Sequence, residues 1–148
     1  MTYAAFIQKW ADAEKAPTPV AADDLAAAER RLGIAFPKIY REALLQLGAA
    51  SATLELLDIV AERGLETGDI QDFMTDDEIV ATTETWRQLG LPRDCIAFAR
   101  DSGGDLYCFR RGGEAVWFWD IEARAVEKTA PSFAAWIAGF CAIDRAGA

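Results

Sequence analysis

The chain contains no histidine. That absence removes Ser-His and Cys-His nucleophilic catalysis, imidazole-bearing zinc sites, and the usual general base near neutral pH. Cysteine is sparse: Cys95, Cys108 and Cys141 are odd in number, widely spaced and set in apolar segments. They fit small buried hydrophobes in a reducing compartment better than a disulfide or a CxxC redox pair. No apolar run approaches the roughly 20 residues of a membrane-spanning helix. "MTYAAFIQKW" sets Lys9 and Trp10 where a signal peptide carries its apolar centre, so no export signal is read and a cytoplasmic location is expected. Phosphate-binding patterns are missing as well. There is no GxxxxGK[ST], and "DSGGD" (residues 101–105) lacks GxGxxG spacing. A calcium loop starting at Asp101 fails at its third position, Gly103, and at its twelfth, Gly112. No catalytic residue, metal site or cofactor is expected.

Bases are outnumbered. Fifteen Lys plus Arg against 24 Asp plus Glu give a net charge of −9, a field that repels nucleic acid and anionic membrane and steers in a basic partner. Solubility alone accounts for an acidic surface equally well. The length of 148 residues, with 52% hydrophobic and 26% charged side chains, suits one domain, residues 1–148, with a sizeable core.

Helical periodicity opens the chain. Tyr3, Phe6, Ile7 and Trp10 fall at i, i+3, i+4, i+7, the stripe of a helix on a core. After Pro17 and Pro19, "AADDLAAAERRLG" predicts a second helix. Asp23 and Asp24 sit at its positive end, Leu25, Ala28 and Leu32 on its inner face, and Gly33 at its stop. Pro37 starts a third, with Tyr40, Leu44 and Leu47 inward and Gly48 ending it. Residues 49–74 are the least readable: "TLELLDIV" suits a strand or a short helix, and "ERGLETGDIQDF" a polar surface loop. "TDDE" is a capping box, Thr75 with Glu78, for a helix running through Ile79 and Trp86 to Gly90.

The last third reads as strands and then a helix. "CIAFA" leads through the turn "DSGGD" into "DLYCFRR", and Gly112-Gly113 offers a two-residue hairpin turn into "EAVWFWDI". That register sets Arg111 opposite Glu114, Phe109 opposite Val116, Tyr107 opposite Phe118 and Asp105 opposite Asp120. Leu106, Cys108, Trp117 and Trp119 then share the other face. With both faces apolar, the pair is covered on both sides, or covered on one and sticky on the other. A weaker strand, "AVEKT", follows. "PSFAAWIAGFCA" then forms a helix capped by Ser132, with Phe133, Trp136, Ile137 and Phe140 inward.

"DDLAAAERRLGIAFPKIYREALLQLG", "IAFARDSGGDLYCF", "AVWFWD" and "APSFAAWI", in this order, resemble the SUKH superfamily. Two departures stand out: Gly48-Ala49-Ala50 replaces that family's frequent Asn-Gly-Gly, and Ala21 replaces its usual Ser/Thr cap. The resemblance implies an α+β fold, a largely antiparallel central sheet packed by N-terminal, middle and C-terminal helices, and no catalysis. It also implies an immunity-type binding protein that neutralises a cognate toxin, often a nuclease, or a regulatory scaffold like the family's fungal cell-wall assembly regulators.

The expected partner is thus a protein toxin, basic given the acidic surface, and neither nucleic acid nor a membrane. Asp101, Asp105, Trp117, Trp119, Asp120 and Glu122 are the candidate contacts, because acids bordering aromatics make interface anchors. Core packing is the alternative for the two tryptophans, and a plain turn for Gly103-Gly104. A carboxylate enzyme or metal-dependent hydrolase built on Asp101, Asp105 and Asp120 is the remaining alternative; it needs two carboxylates about 5–10 Å apart in a cleft. Facing carboxylates at 105 and 120 repel, so splayed strand ends, a cation, or Arg100 or Arg124 between them is expected.

Overall fold

"CIAFAR" is buried at each of its first five positions, which requires a strand covered on both faces. The computed structural model describes residues 2–145 and supplies both covers. Its elements run α1 (Tyr3–Trp10), α2 (Ala22–Leu32), α3 (Lys38–Leu47), α4 (Leu54–Arg63), β1 (Asp72–Phe73), α5 (Asp76–Arg87), β2 (Cys95–Arg100), β3 (Leu106–Arg110), β4 (Val116–Asp120), β5 (Ala125–Ala130) and α6 (Phe133–Cys141). The strands form one antiparallel sheet in the order β1-β2-β3-β4-β5. The fold is α+β, as the sequence predicts.

One face of the sheet carries an aromatic cluster shared with α1, α3 and α6. Phe98 stacks on Phe109 at 4.3 Å between ring centroids, meets Tyr40 at 4.8 Å and Trp136 at 5.3 Å, and Trp136 continues to Tyr107 at 4.8 Å. The opposite face packs against α5, itself backed by α2. There the fully buried Thr83 hydroxyl accepts the Ala97 amide at 3.1 Å, beside the register shift between Ala97 and Ala99. A buried amide displaced from its ladder needs such a partner. The three cysteines are buried thiols; burial pushes Cys95 up to about 11, so they pack rather than react.

The predicted caps form. Thr75 and Glu78 close the capping box, Gly33 ends α2 in the left-handed region, and Ser132 Oγ accepts the Ala135 amide. Ala21 makes no side-chain cap bond. Gly48 does more than stop a helix. Its φ is +82°, and a Cβ there would stand 2.7 Å from the Thr18 carbonyl oxygen, because residues 18 and 49 exchange hydrogen bonds of 2.9 and 2.8 Å.

Several local expectations are corrected. Leu47 is 38% exposed, since α3 turns only Tyr40 and Leu44 inward. Pro37 is the N-cap of α3 and lies just before its first residue. Of the two readings of "TLELLDIV", the helix forms: it makes up most of α4, capped by Thr53. "ERGLETGDIQDF" is no simple polar loop: it begins in α4, buries Ile70 and ends in β1. The β3–β4 ladder comprises Leu106–Trp119, Tyr107–Phe118 and Cys108–Trp117. It therefore stops before the Phe109–Val116 and Arg111–Glu114 pairs of the predicted hairpin. Only Gly112 of the glycine pair takes a positive φ, and Arg111 instead donates its amide to the Asp94 carbonyl at 2.7 Å.

Candidate functional site

Two turns project from the same end of the sheet. In the first, the amides of Gly103 and Asp105 donate to Asp101 Oδ1 at 2.9 and 2.8 Å, and Gly104 adopts φ +89°. This self-bracing is what Asp and Gly supply to tight turns. Ser102 ties the turn to the segment before β1, its amide and hydroxyl donating to the Asp69 carboxylate at 2.8 and 2.6 Å. Gly103 and Gly104 are thus the plain turn. Burial, and then the charge of Asp105, push the Asp101 carboxyl up to about 6.

The second turn repeats the device. The amides of Glu122 and Ala123 donate to Asp120 Oδ1 at 2.9 and 3.0 Å, and Arg124 takes φ +52°. Asp105 links the two, accepting the Ile121 amide at 2.9 Å. The repulsion expected between Asp105 and Asp120 is therefore met by backbone amides, each carboxylate turned to its own donor. Neither Arg100 nor Arg124 is seen to pair with them. Arg100 makes a bidentate pair with Asp72 at 2.9 Å and reaches Glu78 at 2.7 Å.

Asp101, Asp105, Asp120 and Glu122 therefore stand together at one end of the sheet. The tryptophans do not join them. Trp119 is 1% exposed and meets Trp86 edge-on at 6.4 Å on the α5 side. Trp117 lies toward the other end of β4 under the Arg110 guanidinium, 4.9 Å from its ring centre. Arg110 is in turn held by Asp94 at 2.9 and 3.0 Å.

Sequence inspection missed the acids that arrive from elsewhere. Asp69 braces the first turn, and Glu66 and Glu127 line a cleft of about 360 Å³ beside it, floored by Tyr107 and Phe118. A second cleft, of about 430 Å³, runs between α2 and α5. Asp24, Asp76, Asp77 and Glu84 surround its alanine floor, with Arg31 paired to Glu84 at 2.9 Å. Burial, then the charges of Asp77 and Asp24, raise the Asp76 carboxyl. The signal for this cleft was in the sequence as an Asp pair at the start of each helix. Among the described residues no group of three or more Cys, Asp or Glu side chains is arranged to hold a metal ion, and no helix is long and apolar enough to cross a membrane.

The fold is thus an α+β domain with hydrogen-bonded acidic turns at one end of its sheet. Residues 19–139 match the sequence model of the SMI1 / KNR4 family (SUKH-1), and the chain belongs to that family, which covers toxin-immunity proteins and related domains. No curated protein sequence matches it significantly.

Proposed function

We propose that this protein is an immunity-type binding protein that captures a basic toxin domain, nuclease-like in its positive surface, by direct contact in the cytoplasm and without catalysis. One observation carries this: Asp101, Asp105 and Asp120 are held in place by backbone amides on turns that share one end of the sheet. A partner meets a preformed acidic face and has no loop to order, which lowers the entropic cost of binding. The same face draws in a cationic surface that would otherwise engage nucleic acid, so neutralisation needs only occupancy.

The test first identifies the partner by pull-down from the source cells with this protein as bait, and then co-expresses the two. Glu122 and Glu66 are both exposed, and Glu122 takes part in its turn through its backbone amide, so Glu122→Lys with Glu66→Lys reverses charge while keeping the bonds that brace the turns. The expected result is an association rate that falls about tenfold or more, and that loses its steep salt dependence as the Debye length shrinks to about 10 Å, together with lost growth protection. Full protection and an unchanged association rate in the doubly reversed variant would sink the proposal.

A further inference from the structure

The two edges of the sheet are finished differently. On the β1 side, residues 49–52 run alongside: Phe73 donates to the Ala50 carbonyl and Ala52 to that of Gln71, each at 2.8 Å, and a single bridge joins Ser51 to Asp72. β5 ends the sheet order on the other side. Among the described residues, no other segment pairs with its outer edge. Residues 125 and 127–129 of β5 are exposed. A bare edge of this length offers a row of backbone donors and acceptors to any extended chain.

A second copy of the protein fits this edge badly. In an antiparallel pair, residues directly opposite each other turn their backbone groups the same way, so two identical strands related by a two-fold axis meet residue on like residue. The registers that overlap most of "AVEKTA" then centre on Glu127 or Lys128. One sets Glu127 against Glu127 and the other Lys128 against Lys128, and like charges directly opposite are destabilising. The edge is guarded against itself but not against a foreign strand.

Its surroundings specify that strand. The cleft of about 360 Å³ opens along β5, between Glu127–Thr129 and residues 66–68. Glu66, Asp101 and Glu127 are among the residues that line it and Lys128 is the one basic residue there, over Tyr107 and Phe118. An apolar floor beneath an acidic wall suits a long cationic side chain, whose methylene stem covers the rings while its charge faces the acids.

We propose that β5 is a docking edge: an extended, basic segment of the partner protein adds there as a further strand and sends a Lys or Arg side chain into the cleft. This deepens the function proposed above and rests on it for the partner's basic character. Strand addition would supply affinity through main-chain hydrogen bonds, and the cleft would supply selectivity.

The test is a backbone-amide NMR titration of the full chain with end-blocked peptides as long as β5. One alternates Lys and Val, one alternates Glu and Val, and one is the Lys-Val peptide N-methylated at every residue. The Lys-Val peptide is expected to shift the amides of residues 125–130 and of the 66–68 segment. The N-methylated peptide should bind about tenfold more weakly through lost hydrogen bonds, and the Glu-Val peptide should not bind detectably. Glu127→Lys, at an exposed position, should weaken Lys-Val binding by about threefold or more. Equal binding of the N-methylated peptide, shifts confined to the α2–α5 cleft, or no shifts at all would overturn the docking edge. If those results came with a toxin captured in a Glu66- and Glu122-dependent way, the function would stand and only the edge would fall. If the peptide bound the edge and no toxin were captured, the reverse would hold.

Discussion

Replacing Asp101 by Asn should make the protein more stable near neutral pH. The Asn side-chain oxygen can still accept the amides of Gly103 and Asp105, which now donate to Asp101 Oδ1. What disappears is a charge that burial and the nearby carboxylates of Asp105 and Asp69 disfavour. A carboxyl that ionises near 3.8 in the unfolded chain and at about 6 in the fold binds its proton more tightly when folded. Protein stability therefore falls as pH rises through that window, and the destabilisation is complete above pH 6. The full difference corresponds to roughly 3 kcal/mol, but the side chain is only half-buried, so solvent screening reduces it to about 1–2 kcal/mol. Urea unfolding of wild type and Asp101→Asn at several pH values checks this. The variant should gain about 1–2 kcal/mol near pH 7.5 and lose that advantage by about pH 4. A variant less stable than wild type at pH 7.5, or an advantage independent of pH, would refute the account of this turn.

Arg100→Met leaves Asp72 and Glu78 without their shared guanidinium; because the cluster is partly exposed, a loss of about 1–3 kcal/mol is expected in chemical denaturation. In the same variant the Glu78 carboxyl should titrate higher. Burial pushes it up, and at present the Thr75 amide and hydroxyl together with Arg100 outweigh that and hold it below its usual range; NMR titration of the carboxyl carbon reports the change. Thr83→Val conserves shape but strands the buried Ala97 amide, which should cost about 1–3 kcal/mol and speed hydrogen exchange in β2. Gly48→Ala places a Cβ against the Thr18 carbonyl at a φ of +82°, so the melting temperature should drop with a loss of about 2–4 kcal/mol.

How far the sequence carried depended on how local each cause was. α5 was legible because its capping box lies within four residues, Thr75 to Glu78, and α6 because Ser132 and its apolar face are contiguous. β1 was invisible: it has two residues and exists by pairing with Arg100 and Ala99, well over twenty positions away. α4 was ambiguous because a short apolar run lacks a decisive period. The same division holds at the site. Strand parity grouped the acids of the two turns, since Tyr107–Phe118 pairing fixes where 105 and 120 fall. Parity could not separate Trp117 from Trp119, because residues two apart on a strand share a face. Asp69 was beyond reach, since its bond to Ser102 spans 33 positions.

The contact between the first and last helices has a consequence in time. Trp10 donates its indole N–H to the Phe140 carbonyl at 2.9 Å, and Lys9 reaches that of Cys141 at 2.8 Å. Phe6, Tyr40 and Phe73 likewise border rings of Phe133, Trp136 or Phe140. A growing polypeptide lacks one wall of this cluster until α6 is synthesised. At about 5–20 residues per second, α1 exists for on the order of ten seconds before its partner. The aromatic cluster therefore cannot close before α6 has been made, and under the proposed function no molecule could bind its partner through the finished fold any earlier.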